Sequence, residues 1–172
     1  ANNDGFFIVQ AGDTIRAVYS DAKTSAGVTG SASSVTVVIG GITATISAAP
    51  SIVAAGNSIT FTISDGDINH NTSVAETYSF QTTSSTGETE QLTFTETGAN
   101  TGIFSATIST VYGTTPGTNN NGTFTVQPTN SISVSYFDTI NAQGTSATIS
   151  ASSTIGTINF STSSKSYSDV ND

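Results

Sequence analysis

The chain contains no cysteine, methionine or tryptophan and only one histidine among its 172 residues. Without cysteine it can form no disulfide, no thiolate metal site and no cysteine nucleophile. His70 alone would have to serve any serine–histidine or zinc chemistry, and a single histidine in a polar segment is usually solvated. These absences argue against an enzyme.

Positive charge is also scarce. Three lysines and arginines stand against twelve aspartates and glutamates, which gives a formal net charge of −9. Binding to DNA, RNA or an anionic membrane surface needs clustered basic side chains, so the composition argues against these partners. The longest apolar stretch, VTVVIGGITATI, is too short and too polar to span a bilayer. The abundance of serine, threonine and asparagine favours an extracellular or cell-surface location.

Apolar and polar residues alternate with a period of two along most of the chain. Segments such as NSITFTIS and GIFSATIS are separated by stretches rich in glycine, asparagine and proline, which favour turns. Strands at such short spacing, each with one apolar face, are typical of an all-β sandwich. The sequence therefore predicts an all-β fold.

Part of the sequence is repeated. Residues 2–21 (NNDGFFIVQAGDTIRAVYSD) align without a gap with residues 119–138 (NNNGTFTVQPTNSISVSYFD), at the constant offset of 117 that separates Asp21 from Asp138. A weaker similarity places residues 156–172 beside residues 43–57 at a similar offset. The two matches indicate that a repeat with a period close to this offset of 117 residues recurs along the chain.

Three motifs carry a resemblance to a known family. DGDIN (65–69) fits D-x-D-x-N, ETGANTGIF (96–104) fits E-T-G-x-N-T-G-x-F, and a later strand ends in YFD (136–138). In these motifs the chain is similar to Ig-like β-sandwich repeats, found in tandem in very large secreted bacterial and archaeal proteins, including surface-layer proteins. The resemblance covers residues 42–150 and implies a structural module of a cell-surface array, sheath or filament.

The repeat and the resemblance together predict three parts. Residues 41–152 form one complete Ig-like β-sandwich. Residues 1–40 form a partial Ig-like domain made of back-half strands. Residues 153–172 form the first strand of a following repeat or a donor strand, with the candidate donor residues Ile155, Ile158 and Phe160.

An incomplete sandwich needs a cover, because an open strand edge invites aggregation. The leading hypothesis is a head-to-tail homopolymer, in which the C-terminal strand of one copy completes the partial domain of the next. One alternative is a segment of a large tandem-repeat surface-layer protein or adhesin, whose neighbouring repeats supply the strands covalently. Another is a carbohydrate-binding module, although only Tyr112 and Tyr167 stand outside the alternating strand positions.

Oxygen-bearing side chains mark a candidate metal site. Asp65, Asp67 and Asn69 alternate in a predicted loop, and calcium loops of other folds begin with this spacing. The glycine and glutamate that an EF-hand requires are missing. Glu96 and Asp138, at predicted strand ends, are candidate remote ligands. The sequence leaves open a structural Ca²⁺ site and a solvated turn in which Asp and Asn bind their own backbone.

Two further groups of residues could carry chemistry. Glu88 and Glu90 alternate in a predicted strand, and we expect them on one solvated face rather than in a catalytic pair. Three sequons, at Asn71, Asn121 and Asn159, are candidate glycosylation sites of a secreted protein.

Overall fold

The computed structural model describes residues 5–23, 25–27 and 29–157. These residues form eleven β-strands and one 3-10 turn, Gly66–Ile68, and they contain no α-helix. Nothing helical in this part of the chain is long or apolar enough to cross a membrane. The predicted all-β fold is confirmed.

The first two strands form a hairpin of their own. Strand β1 (Thr14–Lys23) pairs antiparallel with β2 (Thr29–Val38) in a two-stranded sheet. Odd-numbered residues of β1 share one face with odd-numbered residues of β2, because Ile15 lies opposite Val37 and Ala17 lies opposite Val35.

The remaining nine strands form a sandwich. One layer contains β3, β5 and β8, with β9 parallel to β8, and the other contains β7, β6, β10, β11 and β4. The layers join at a corner, where β7 and β8 pair over only two positions. The strand bounds are β3 (Thr45–Ala49), β4 (Ile52–Val53), β5 (Ser58–Ser64), β6 (Thr77–Ser84), β7 (Thr89–Glu96), β8 (Ile103–Tyr112), β9 (Thr123–Val126), β10 (Ser131–Asp138) and β11 (Ala147–Ile155).

The core follows from the period-two alternation. Strand β5 turns Ile59, Phe61 and Ile63 inward, each fully buried, while the serines and threonines between them face outward. Phenylalanines from the neighbouring strands complete the core. Phe80 packs edge-on against Phe94 and Tyr136, with ring centroids 5.4 Å apart in both pairs, a geometry that aromatic rings prefer.

The hairpin β1–β2 repeats the hairpin β10–β11 down to its hydrogen bonds. In the turn before β1, the backbone N–H of Gln10 donates to Oδ2 of Asp13 at 2.9 Å. In the turn before β10, the N–H of Gln127 donates to Oδ1 of Asn130, also at 2.9 Å. The amide of Asn130 therefore performs the role of the Asp13 carboxylate.

The same turns bind the following hairpin strands in the same way. The N–H of Gly12 donates to the carbonyl of Ile39 at 2.9 Å, and the N–H of Thr129 donates to the carbonyl of Ile155 at 2.8 Å. Gly12 and Thr129 both have positive φ, of 88° and 76°. Ile39 thus corresponds to Ile155. These two residues are 155 − 39 = 116 positions apart, whereas corresponding residues of β1 and β10 are 117 apart.

The end of the sandwich lies later in the chain than predicted. Ile155, a predicted donor residue, is 1 % exposed and pairs with Val53 of β4, so it completes its own sandwich. The boundary at residue 153 is therefore wrong. Ser153 is likewise fully buried, and its hydroxyl donates to the carbonyl of Pro50 at 2.7 Å. Ile158 and Phe160 lie outside the described residues.

A core truncation tests the packing. We expect Phe94→Ala to lower the free energy of unfolding by about 3–5 kcal/mol, because the removed ring leaves a cavity in a fully buried site. Phe137→Ala is the matched control, since that side chain is 57 % exposed, and it should change stability by about 0.5 kcal/mol or less. Urea unfolding followed by circular dichroism measures both, and equal losses would contradict the assignment of the core.

Candidate functional site

Five carboxylates are buried in the sandwich. The two described basic residues, Arg16 and Lys23, both lie on β1, outside the sandwich. A buried charge is costly unless it is paired or hydrogen-bonded. Backbone N–H groups fill this role here, since each carboxylate accepts at least one of them. The five residues, with their exposed fractions, are Asp65 (1 %), Glu88 (1 %), Glu90 (2 %), Glu96 (4 %) and Asp138 (2 %).

Asp65 joins the DGDIN loop to the core. Its Oδ1 accepts the N–H of Asp67 at 2.8 Å and caps the 3-10 turn, while its Oδ2 accepts the hydroxyl of Tyr136 at 2.5 Å. Burial raises the pKa of Tyr136, and the hydrogen bond and negative charge of Asp65 raise it further. The phenol therefore stays protonated and serves as a donor.

Two more aspartates hold the linker that leads from β2 into β3. Oδ2 of Asp67 accepts the N–H of Ile42 at 2.6 Å. Oδ2 of Asp138 accepts the N–H of Ala44 at 3.0 Å, and its Oδ1 accepts the N–H of Ile140 at 3.0 Å. The hairpin and the sandwich are thus joined by a linker whose backbone is bound by side chains of the sandwich.

Glycine is required at the centre of this linker. The N–H of Gly41 donates to the carbonyl of Asn141 at 2.9 Å. A Cβ atom on Gly41 would overlap Oδ2 of Asp67 and the carbonyl oxygen of Ile140. The close approach of the linker to the sandwich therefore depends on the missing side chain.

Glu96 organises the ETGANTGIF loop. Its Oε1 accepts the N–H groups of Thr101 and Gly102 at 2.8 and 2.9 Å, and its Oε2 accepts the N–H of Glu76 at 3.4 Å. Burial raises the pKa of Glu96, but the hydrogen bonds from Gly102, Thr101 and Glu76 together outweigh it, so the pKa lies below its ordinary value.

The DGDIN and ETGANTGIF loops pack against each other. The side-chain amide of Asn69 donates to Oδ1 of Asn100 at 3.0 Å, and the N–H of Asp65 donates to the carbonyl of Gly102 at 2.8 Å. A Cβ atom on Gly102 would lie 2.9 Å from Cα of Gly66, which is tighter than real contacts allow. Two of the three family-like motifs therefore form one cluster at the end of the sandwich that receives the linker.

The candidate calcium ligands do not form a recognisable metal-binding group. Among the described residues, no three or more histidine, cysteine, aspartate or glutamate side chains are placed to hold an ion. Asp65, Asp67, Glu96 and Asp138 bind backbone N–H groups instead, as described above. Oδ1 of Asn69 is buried without a partner in this part of the chain. Calcium binding stays a prediction.

Glu88 and Glu90 are not solvated, and the expectation of an exposed face was wrong. Oε2 of Glu88 accepts the N–H groups of Gly117 and Thr125 at 3.0 and 2.9 Å. Glu90 accepts the N–H groups of Asn121 and Gly122 at 3.2 and 2.7 Å. The long connection between β8 and β9 folds over this face of β7 and is bound to it. The sequence signal for this contact was the glycines of GTTPGTNNNG, because they permit the backbone of the connection to approach the two carboxylates.

Both described sequons lie on the surface. Asn71 and Asn121 are exposed. Each side-chain oxygen accepts the N–H of the residue two positions on, Ser73 at 3.1 Å and Thr123 at 2.9 Å, so each sequon forms an Asx turn. Asn159 lies outside the described residues. Glycosylation stays a prediction.

The fold and the site define a class of protein: an all-β Ig-like sandwich whose end loops are fixed by buried carboxylates that bind backbone N–H groups. A scan against protein-family models finds no match to the chain. A search of curated proteins finds none either. The interpretation of function therefore rests on the geometry of the chain itself.

The lowered pKa of Glu96 predicts a dependence of stability on pH. A carboxylate whose pKa is depressed by folding stabilises the native state above its unfolded-state value, and this contribution is lost as the pH falls through the folded-state value. We expect Glu96→Gln to be less stable than the native sequence at pH 7 and to lose less stability below 4.5, the ordinary pKa of the group. Asp13→Asn is the control, because Asn130 forms the equivalent turn. Urea unfolding gives the free energy of unfolding of each variant across this pH range. Parallel curves of stability against pH for Glu96→Gln and Asp13→Asn would contradict the prediction.

A substitution at the linker tests the close approach of Gly41. We expect Gly41→Ala to destabilise the protein by about 1–3 kcal/mol, because the added Cβ overlaps backbone and carboxylate atoms. Gly98→Ala is the matched control, since its Cβ would meet only the methyl group of Thr101, at 3.2 Å. Thermal melts compare the two variants, and a Gly41→Ala melt equal to that of the control would contradict the geometry of the linker.

Proposed function

We propose that the protein is a structural subunit of an extracellular cell-surface assembly, a filament, sheath or surface layer built head to tail by strand complementation. The observation that carries this proposal is the equivalence of hairpins β1–β2 and β10–β11. In β10, Tyr136 is 4 % exposed, and Ile132 and Val134 are fully buried. In the first hairpin, the equivalent Tyr19 is 68 % exposed, and Val35 on the same face is 63 % exposed.

The complete sandwich provides a pattern for a cover of this face. The segment that opens the sandwich runs along hairpin β10–β11 and binds it at both ends. At one end Asp138 accepts the N–H of Ala44, and at the other the N–H groups of Thr154 and Gly156 donate to the carbonyls of Ser51 and Val53 at 2.9 and 2.8 Å.

The C-terminal part of the sequence is a candidate for the same place on the first hairpin. Residues 156–172 resemble residues 43–57, which form most of the segment just described. We infer that the C-terminal segment of one copy covers hairpin β1–β2 of the next. Such a contact joins two different surfaces, head to tail, and therefore propagates as a filament.

The composition supports a structural role outside the cell. The surface is dominated by serine, threonine and asparagine, and the net charge of −9 keeps subunits soluble through mutual repulsion. The exposed sequons at Asn71 and Asn121 would place glycans on the outside of such an assembly. The carboxylates serve as backbone acceptors, which favours a structural rather than a catalytic use of them.

A tandem-repeat surface-layer protein or adhesin is the second candidate, and one observation favours it. The linker from hairpin to sandwich is short and bound on both sides, as in a series of covalently joined repeats. In that case a preceding repeat of a longer chain covers hairpin β1–β2. A carbohydrate-binding module has less support, because Tyr112, the described one of the two tyrosines expected outside the strands, ends β8 instead of standing in a loop.

Intact mass and electron microscopy of the same native sample test the proposal. We expect filaments or sheets whose chain has a mass near 17.4 kDa plus any glycans. Removal of residues 158–172 should give soluble monomers, because the covering segment is then missing. Assemblies of normal length from the shortened chain would contradict strand complementation, and a far heavier native chain would favour the tandem-repeat protein.

A further inference from the structure

The linker between hairpin and sandwich shows how a covering segment is held where it enters a sandwich. It leaves β2 at Ile39 and reaches Asp138, whose Oδ2 accepts the N–H of Ala44 at 3.0 Å. The contact is buried, since Asp138 is 2 % exposed. Asp138 therefore recognises the main chain of the incoming segment rather than any side chain, and its partner is far away in sequence.

Asp21 is the counterpart of Asp138 at the end of β1. Oδ1 of Asp138 accepts the N–H of Ile140, two residues on, at 3.0 Å. Oδ1 of Asp21 accepts the N–H of Lys23, also two residues on and also at 3.0 Å. The two carboxylates thus have the same place in their hairpins and the same local hydrogen bond. The partner of Oδ2, an incoming strand, is the element that hairpin β1–β2 lacks among the described residues.

We propose that Oδ2 of Asp21 binds a backbone N–H of the C-terminal segment of a second copy, shortly after Thr157, as Asp138 binds Ala44 within one chain. This inference rests on the proposed head-to-tail assembly and names the residue that receives the incoming strand. The carboxylate fixes the entry point of that strand, and the apolar face with Tyr19 and Val35 takes its side chains.

The sequence of the linker agrees with this assignment. The correspondence of Ile39 with Ile155 places Gly40 against Gly156 and Gly41 against Thr157. A Cβ atom on Gly40 would overlap the carbonyl oxygen of Ala142, and Gly156 keeps a glycine at the corresponding place. A Cβ atom on Gly41 would overlap Asp67 and the carbonyl oxygen of Ile140, and here Thr157 departs from glycine.

Asp21→Asn separates the proposed contact from the local turn. The asparagine keeps Oδ1, which can still accept the N–H of Lys23, as Oδ1 of Asn71 and of Asn121 accept the N–H two residues on. Its Nδ2 replaces Oδ2 and cannot accept a hydrogen bond. The variant therefore removes the acceptor for the incoming strand and leaves the hairpin intact. Asp21→Ala removes both bonds and shows the full effect.

The experiment measures the critical concentration for assembly of the full-length chain by light scattering and sedimentation. We expect Asp21→Asn and Asp21→Ala to raise it on the order of tenfold, since each loses a hydrogen bond to a charged group. Ser20→Ala is the control, because this neighbour lies on the opposite face of β1, and it should assemble like the native chain. Circular dichroism confirms that each variant is folded.

The outcomes distinguish the two levels of the proposal. If both Asp21 variants assemble as well as the native chain, the role of Asp21 is overturned and the head-to-tail assembly stands. An equal defect in Ser20→Ala overturns it too, because the effect would then belong to the hairpin in general. Native chain that stays monomeric at every concentration overturns the head-to-tail assembly, and with it the role of Asp21.

Discussion

The hydrogen bond from a backbone N–H group to a buried carboxylate is the interaction on which this structure depends. Acidic side chains are placed inside a sandwich that has no lysine or arginine to neutralise them. Several aligned N–H dipoles can replace a counter-ion, since each donates to the charged form and removes part of the desolvation cost. Most of these donors come from loops. The carboxylates therefore convert flexible connections into fixed ones, and a chain with few charges gains well-defined ends.

This arrangement differs from fixing loops by ion pairs or disulfides. An ion pair specifies side chains at both positions, whereas an N–H acceptor specifies only one side chain and a backbone path. Loop sequences can then remain simple, with serine, threonine, asparagine and glycine, as long as the glutamate or aspartate is present. Glycines such as Gly41 and Gly102 matter because they let the main chain approach closely. For Glu96, whose pKa these bonds lower, protonation in acid removes the negative charge that the N–H groups stabilise.

The sequence predicts the strands and the repeat well, because both depend on local alternation and on an alignment. It predicts the fate of individual carboxylates poorly. Alternation shows that Glu88 and Glu90 share a face, but only the path of a loop thirty or so residues away decides that this face is covered. Tyr136 as the partner of Asp65 is likewise a long-range contact without a local signal. The repeat also placed the end of the sandwich too early, because the pairing of Ile155 with Val53 depends on a strand about a hundred residues earlier.

The linker between hairpin and sandwich also has a mechanical consequence. It comprises the six residues 39–44, and three backbone N–H groups attach it to the sandwich through Asp67, Asp138 and Asn141. Rotation of the hairpin on the sandwich would have to break at least one of these bonds, so the linker acts as a stiff joint rather than as a flexible hinge.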